Sequence, residues 1–340
     1  MNSAHPFRRF LIASSCLPLM TAATLQALEP VVFFANNTDD RIGRFSASEA
    51  AAVTVNTGSV TGDMDISSLN SYQLIFDGSS SGVSLNEVTA YGNHIFFNDF
   101  DGAIYRSDLD GTTTASIVAG RGEFVRSIAA GNNQIFWTEG NNSSAVHIYR
   151  ANVDGTGITR VTSTADAYDF LETNDTGLYY SIDGFKVATR PFLNLSSESQ
   201  VFSDPSASIR GMAVTNDLLF FSDGFGVPNT ILEIDLQTTN LTTFYSNPAG
   251  TDLHELEFAN DTVFFLDSPF SGERDMISVP FPNPSGQEVP LVDGSSLGPF
   301  RNLDDFAVVA VPEPRFSALV VGFIAAGLGL RVRRNRQKSG

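Results

Sequence analysis

Ile135-Phe136-Trp137-Thr138-Glu139 is a short apolar-aromatic run, and close relatives of it recur along the chain. The others are Val31-Val32-Phe33-Phe34, Ile95-Phe96-Phe97-Asn98, Leu178-Tyr179-Tyr180-Ser181, Leu219-Phe220-Phe221-Ser222 and Val263-Phe264-Phe265-Leu266. From Ile95 onward the starts lie 40, 43, 41 and 44 residues apart. Runs of this length, rich in aromatic and β-branched residues, read as strands buried on both faces. The first interval is 64 residues, so the first unit carries an insertion, expected around Ser67 to Ser84.

A second marker leads into each run or ends the unit: Leu85–Ala90, Val125–Ala130, Tyr168–Glu172, Ile209–Val214, Leu253–Phe258 and Asn302–Val308. Most lead through an Asn/Asp/Gly turn, such as Asn216-Asp217 or Asn260-Asp261, into the next aromatic run, as adjacent antiparallel strands do. Two more strand-like stretches fit between the markers, clearest in Ala103-Ile104-Tyr105-Arg106-Ser107-Asp108-Leu109-Asp110-Gly111 and His147-Ile148-Tyr149-Arg150-Ala151-Asn152-Val153-Asp154-Gly155. Units of about 42 residues with four short strands indicate an all-β, six-bladed β-propeller. The blades are expected at about 31–90, 95–131, 135–173, 178–215, 219–260 and 263–309, within a domain spanning 28–310. The aromatic runs are read as the innermost strands, which leaves no exchange of strands to close the ring. A seven-bladed count, with Gln73–Asp77 as a further inner strand, is the alternative. No window between the ends shows sustained helical periodicity.

The aromatic runs resemble the signature of YWTD-type six-bladed propellers, in degenerate form: Phe136-Trp137-Thr138-Glu139, Phe96-Phe97-Asn98-Asp99, Phe220-Phe221-Ser222-Asp223 and Phe264-Phe265-Leu266-Asp267. The Ile-Tyr-Arg…Asp-Gly stretches are similar to that family's second-strand pattern. Units one and four depart from it, with Asn36 and Ile182 in place of the terminal acid. The resemblance implies a structural role for Asp99, Glu139, Asp223 and Asp267.

The chain has 340 residues, 28 of them Phe, with aromatics at 11% and charged residues at only 17%. That composition excludes intrinsic disorder and a coiled coil. The net charge is −18, unevenly spread. Eight of the 20 basic residues lie in the terminal segments beside a single acid, leaving 12 bases against 37 acids in residues 28–311. So acidic a body repels polyphosphate, and no nucleic-acid partner is expected. The single cysteine, Cys16, falls in the leader described next, so the mature domain must be held by its core rather than by disulfides.

Residues 1–27 have the zones of a secretory signal peptide: Arg8 and Arg9, an apolar stretch from Phe10 to Met20, then small residues up to Ala27. The other end reads Val311-Pro312-Glu313-Pro314, an apolar segment over 316–330, and a basic tail with Arg331, Arg333, Arg334 and Arg336. Two prolines around a glutamate make a stiff extended spacer. The Gly/Ala-rich apolar segment suits a short transmembrane helix with its cations held on the cytoplasmic side. This tripartite end resembles the PEP-CTERM sorting signal of Gram-negative bacteria, with Pro312, Glu313 and Pro314 as the motif. The resemblance implies an exosortase-like membrane protease-transpeptidase as partner, membrane attachment before processing, and a final place at the cell surface or outside the cell. Residues 311–340 are therefore read as a sorting segment.

No nucleophile elbow, phosphate loop or zinc-protease motif is present, and no catalytic residue and no metal ligand is assigned. His94, His147 and His254 fall at different points of their repeats. The Asp-Gly pairs, such as Asp110-Gly111 and Asp154-Gly155, read as tight turns rather than calcium loops. The expected function is a non-enzymatic binding or structural module at the cell surface, with extracellular polysaccharide or a surface protein as partner and no cofactor. The alternative is a calcium-dependent, gluconolactonase-like propeller hydrolase, for which acidic or Asn side chains would have to converge in the central channel.

Overall fold

A computed structural model describes residues 28–312 apart from 37–39, 58–68, 80–82, 142–144, 225–228, 248–250, 269–274, 283–287 and 293–304. The described chain forms six four-stranded antiparallel sheets. Blade one holds β1 (Leu28–Asn36), β2 (Arg41–Ser46) and β3 (Gln73–Asp77), with helix α1 (Ala47–Thr57) between β2 and β3. Blade two is β4 (Leu85–Tyr91), β5 (His94–Asp99), β6 (Ile104–Asp108) and β7 (Thr114–Val118). Blade three is β8 (Phe124–Gly131), β9 (Gln134–Asn141), β10 (Ala145–Asn152) and β11 (Thr159–Arg160). Blade four is β12 (Tyr168–Thr173), β13 (Gly177–Ile182), β14 (Lys186–Pro191) and β15 (Ser199–Ser203). Blade five is β16 (Ile209–Val214), β17 (Leu218–Asp223), β18 (Asn229–Asp235) and β19 (Leu241–Asn247). Blade six is β20 (Asp252–Ala259), β21 (Thr262–Ser268), β22 (Asp275–Pro280) and β23 (Val289–Val292). The last strand, β24 (Asp305–Pro312), returns to blade one and pairs with β1, from Ala35↔Asp305 to Leu28↔Pro312.

The ring is thus a six-bladed propeller, but its blades are offset by one strand from the boundaries read in the sequence. The marker segments, not the aromatic runs, are the innermost strands; the aromatic runs are second strands. The shift resolves closure: counted from the markers, the C-terminal marker is left over, and it supplies the innermost strand of blade one. The ring therefore closes by exchange of strands. Gln73–Asp77, the seventh inner strand of the alternative count, is the outer strand of blade one. The expected domain limit at 310 also moves, because β24 runs on to Pro312.

The aromatic doublets hold the blades together. Neighbouring residues on a strand face opposite sides of the sheet. Phe96 accordingly enters the core shared with blade three, and Phe97 the core shared with blade one. Phe220 and Phe221 divide in the same way between blades six and four, as do Phe264 and Phe265 between blades one and five. All six of these rings are essentially buried. A second strand packed on both faces reads as a continuous apolar run, which is why it dominates the repeat.

The insertion in blade one lies earlier than expected, between β2 and β3, and contains the one helix among the described residues. The Ala47–Thr57 segment is Ala-rich and carries little amphipathic signal, so periodicity passes over it. Ser46 caps it: its Oγ accepts from Glu49 N at 3.2 Å. Glu49 in turn accepts from the backbone N–H groups of Asn70 and Ser71, both at 2.9 Å, which pins the far end of the insertion. Ala47 and Ala50 pack with Phe45 and Leu69 in the core between blades one and six.

Two Asp-Gly turns dock each blade on its predecessor. Gly155, at φ +83°, meets Ile117 of blade two so closely that a Cβ would lie 1.9 Å from the Ile117 carbonyl oxygen. Gly111, at φ +74°, sits against Ile75 of blade one in the same way. Arginines grip these turns: Arg106 Nη1 donates to Val153 O at 3.2 Å, and Arg44 Nη1 to Leu109 O at 2.7 Å. The Ile-Tyr-Arg…Asp-Gly pattern is inter-blade glue.

Candidate functional site: a charged channel mouth

The innermost strands do not run straight. Register breaks separate Leu85 from Val88, Val125 from Ile128, Tyr168 from Leu171, Ile209 from Met212 and His254 from Leu256. A bulge re-aims the extra residue. The last residues before the register resumes are Glu87, Ser127, Phe170, Gly211 and Glu255, and Asp305 stands at the matching start of β24. Five of the six, Gly211 excepted, line a narrow cavity of about 20 Å³ with Glu172 and Glu257, room for about one water. Glu255 holds its place with φ +35°, and Gly211 makes that possible: a Cβ at Gly211 would come within 2.6 Å of Glu255 N. Two bulge residues also bind the ring. Val88 N donates to Asp305 Oδ2 at 2.6 Å, and Leu171 N to Ser127 Oγ at 3.0 Å, each across one blade boundary.

Five carboxylates thus converge in this narrow space, Asp305 buried and the other four half-buried. Burial pushes Glu172 well above the usual carboxylate range, and the nearby charges of Glu257, Asp305 and Glu255 push it further. Glu257 is raised by burial and then by Asp305. Like charges in low dielectric are relieved by protons or by a cation. Glu87, Glu255 and Asp305 each offer a carboxylate oxygen, and these oxygens lie within 4.8 Å of one another. An all-oxygen, triply charged set suits a hard divalent ion such as calcium, with water completing the shell.

Above the constriction the channel widens into a pocket of about 410 Å³, on the face from which the innermost strands start. Glu87 and Glu255 belong to both spaces. Arg126, Asp169, Phe170, Ser208 and Arg210 form the other wall. Arg126 Nη1 pairs with Asp169 Oδ1 at 2.6 Å across blades three and four. Arg210 is exposed, and among the described residues it has no acid partner. In the mouth the acids Glu87, Asp169 and Glu255 come from blades two, four and six, and the arginines Arg126 and Arg210 from blades three and five.

The residues singled out in the sequence lie elsewhere. Pro312 ends β24, paired with Leu28 at the far end of the channel from Asp305. Glu313, Pro314, Arg331, Arg333, Arg334 and Arg336 lie outside the described residues, as do the 1–27 and 316–330 segments. Among the described residues no helix is long and apolar enough to cross a membrane. His94 sits beside Asp108 and His147 beside Thr162, on different blades. The acids after the aromatic runs make structural bonds. Asp99 accepts from Ala103 N and Tyr105 Oη at 2.8 and 3.0 Å, and Glu139 from Trp137 Nε1 at 2.8 Å and from Arg121. Asp223 accepts from Ser208 N at 2.9 Å. Asp267 reaches Asn247 of blade five at 3.2 Å. The channel acids do not stand out in the sequence because they are scattered, two from blade six and one each from blades one, two and four. Their trace is a polar pair lodged between two apolar residues of the marker, as in Leu85-Asn86-Glu87-Val88 or Leu253-His254-Glu255-Leu256.

No family model matches the chain, and no curated protein matches it. Solved structures do. A crystal structure of a nidogen/laminin complex aligns with a TM-score of 0.61 at 11% identity, covering 84% of this chain and 99% of that one. TolB from Acinetobacter baumannii aligns with a TM-score of 0.57 at 11% identity, over 83% of this chain and 66% of that one. A puromycin-hydrolyzing peptidase of Mycobacterium tuberculosis aligns at 0.53 and 16%, over 77% of this chain and 42% of its own. The chain is a six-bladed β-propeller with neighbours of YWTD and TolB type. At these identities the likeness establishes the fold alone.

Proposed function

We propose that the protein is an exported propeller acting as a binding module at the cell surface or outside the cell of a Gram-negative bacterium. An exosortase-like enzyme processes its PEP-CTERM tail, and the channel mouth meets its partner, extracellular polysaccharide or a surface protein. The supporting observation is the course of β24. Asp305 lies in the channel cluster, while Pro312 pairs with Leu28 at the other end of a strand about 23 Å long, at roughly 3.3 Å per residue. Leu28 and Pro312 therefore sit together on the face opposite the pocket, which favours a tether beyond Pro312 that keeps the mouth open to the outside. Processing must also spare β24. The test is fractionation of cells with and without exosortase, with mass spectrometry of the mature C-terminus. The expected product ends at or beyond Pro312 and accumulates only with the enzyme present. A chain still carrying residue 340 in the normal strain contradicts the sorting reading.

A second reading rests on the carboxylate triad Glu87, Glu255 and Asp305: a calcium-dependent hydrolase. Calcium there would polarise a substrate carbonyl, while Arg210 and Arg126 would orient an anionic substrate. Lactone or ester hydrolysis that requires calcium and is lost in Glu255→Gln supports it; hydrolysis indifferent to calcium removes it.

A further inference from the structure

We infer that the rim of the channel mouth between blades two and three docks an arginine-bearing segment of a partner protein, on the stacked rings of Phe100 and Phe124 and the carboxylates of Asp101 and Glu123. The inference deepens the binding-module reading above and rests on it. The two rings lie 5.4 Å apart, with their planes 21° from parallel. Phe100 follows β5, and its N–H donates at 2.9 Å to Ser84 O, beside the start of β4; Phe124 opens β8. Both therefore stand on the face from which the innermost strands start, next to the pocket. Phe100 is 37% exposed, and among the described residues no other phenylalanine is as open. The backbone holds the two segments together. Gly122 N donates to Asp101 O at 3.2 Å, and Gly102 lies so near Glu123 O that a Cβ would strike it. Phe100-Asp101 and Glu123-Phe124 are thus locked side by side across the blade boundary.

Charge decides which partner fits. Among the described residues Asp101 and Glu123 have no cationic partner. The arginines nearest in the chain are committed elsewhere: Arg121 pairs with Glu139 and lies over the Tyr149 ring at 4.7 Å, and Arg126 pairs with Asp169. Two open carboxylates beside an open ring, on a body of 12 bases and 37 acids, favour a cation over an anion or a neutral chain. A guanidinium matches both halves of the patch. It stacks flat on an aromatic ring and donates paired hydrogen bonds to a carboxylate, whereas an ammonium is a compact and more strongly hydrated charge. Phe100 and Asp101 are both exposed, so the patch is a surface rather than an enclosed pocket. Such a surface suits a side chain presented by a larger partner better than a free small molecule.

The test uses the full chain purified in detergent, at physiological ionic strength so that long-range attraction to the acidic body is screened. Fluorescence polarisation compares a hexa-arginine peptide with a hexa-lysine peptide of the same charge. Hexa-arginine is expected to bind about fivefold tighter, the worth of one guanidinium on an exposed ring. Phe100→Ala should erase that preference by weakening hexa-arginine alone. Phe100→Leu, which keeps apolar bulk without the ring, replaces it if the melting curve shows that the alanine variant does not fold. Asp101→Asn should weaken both peptides. Asp261→Asn removes the same charge from the turn between β20 and β21, on the opposite face, and should change neither. Equal binding of the two peptides, a preference that survives loss of the ring, or a loss in Asp261→Asn as large as in Asp101→Asn overturns the inference. So does binding of dextran that disappears in Phe100→Ala, which would keep the binding module and give its rim to a polysaccharide. None of these results touches tail processing, so this inference and the export reading fail separately.

Discussion

Blade three and blade one are built from the same four-stranded unit, yet they hold the molecule together in different ways. Blade three is continuous in sequence, from Phe124 to Arg160. Its pairings are hairpins, and it joins its neighbours through buried faces and the Gly155 turn. Blade one takes its innermost strand from Asp305–Pro312 and its other strands from the first 77 residues. A ring of local hairpins has two free ends; blade one is where one long-range pairing removes both. The cost is a contact across almost the whole domain, the kind that forms late in folding. Regularity lets a sequence be read, and the single departure from it makes the ring.

The largest effect should come from ending the chain before Asp305. That leaves β1 with an open edge and Val88 N without its acceptor, and we expect loss of cooperative melting rather than a small shift in Tm. A chain with a stop codon there that melts as sharply as the full one would make blade one no different from the others.

Gly155→Ala comes next, because it combines positive φ with a Cβ overlapping Ile117 O. A cost of about 3 kcal/mol or more in denaturant melts is expected, the sum of backbone strain and a displaced turn. Gly111→Ala, on the blade-one side, should cost less, because its nearest atom is 3.0 Å away. Gly92→Ala, at φ +62° with open space around it, should cost about 1 kcal/mol. If all three cost the same, docking between blades adds nothing to turn strain.

The channel carboxylates give a pH test with a defined sign. Glu172 and Glu257 have folded-state pKa values above the ordinary one. Below pH ~4.5 both folded and unfolded chains hold these protons, and the groups cost nothing. As pH rises past that value the unfolded chain releases them while the folded chain keeps them, so stability falls until the folded-state carboxyls ionise. Glu257→Gln should flatten that fall and raise Tm at neutral pH by a few degrees, at about 2–4 °C per kcal/mol for domains approaching this size. Calcium should do the same in the parent protein if the triad binds it. A Tm that climbs with pH in this range would mean that the acids are paired rather than crowded.

The smallest effect is expected from Asp305→Asn. The amide oxygen still accepts from Val88 N, and one charge leaves the cluster, so the two consequences oppose each other to within about 1 kcal/mol. Asp305→Ala should be worse, because it strands that N–H.

Strand content, blade number and the aromatic packing surface were all legible in the sequence, because doublets such as Phe96-Phe97 must serve two cores and so recur in every unit. The frame was not. Leu85–Tyr91 buries Leu85 and Val88 and His94–Asp99 is buried from Ile95 on, but both are apolar strand-like runs in the sequence, and no local property of the sequence says which of two adjacent strands faces the axis. Helix α1 was missed because the small residues of Ala47–Ala52 leave no periodic signature. The mouth was missed for a different reason: Glu87, Arg210, Glu255 and Asp305 are spread over 219 positions, and only the curvature of the ring brings them together.

Closure by β24 is the claim from which the channel cluster, the position of the mouth and the place of Leu28 and Pro312 on the opposite face all follow. Val31 and Val309 are direct partners across β1 and β24, at the separation of about 4.5–5.5 Å between paired Cα atoms that a disulfide can span. The only native cysteine is Cys16, so a C16S/V31C/V309C variant reports on this pairing alone. We predict near-complete cross-linking, seen as loss of free thiol and a shift in gel mobility reversed by reductant. Two free thiols in the folded, oxidised protein would contradict it.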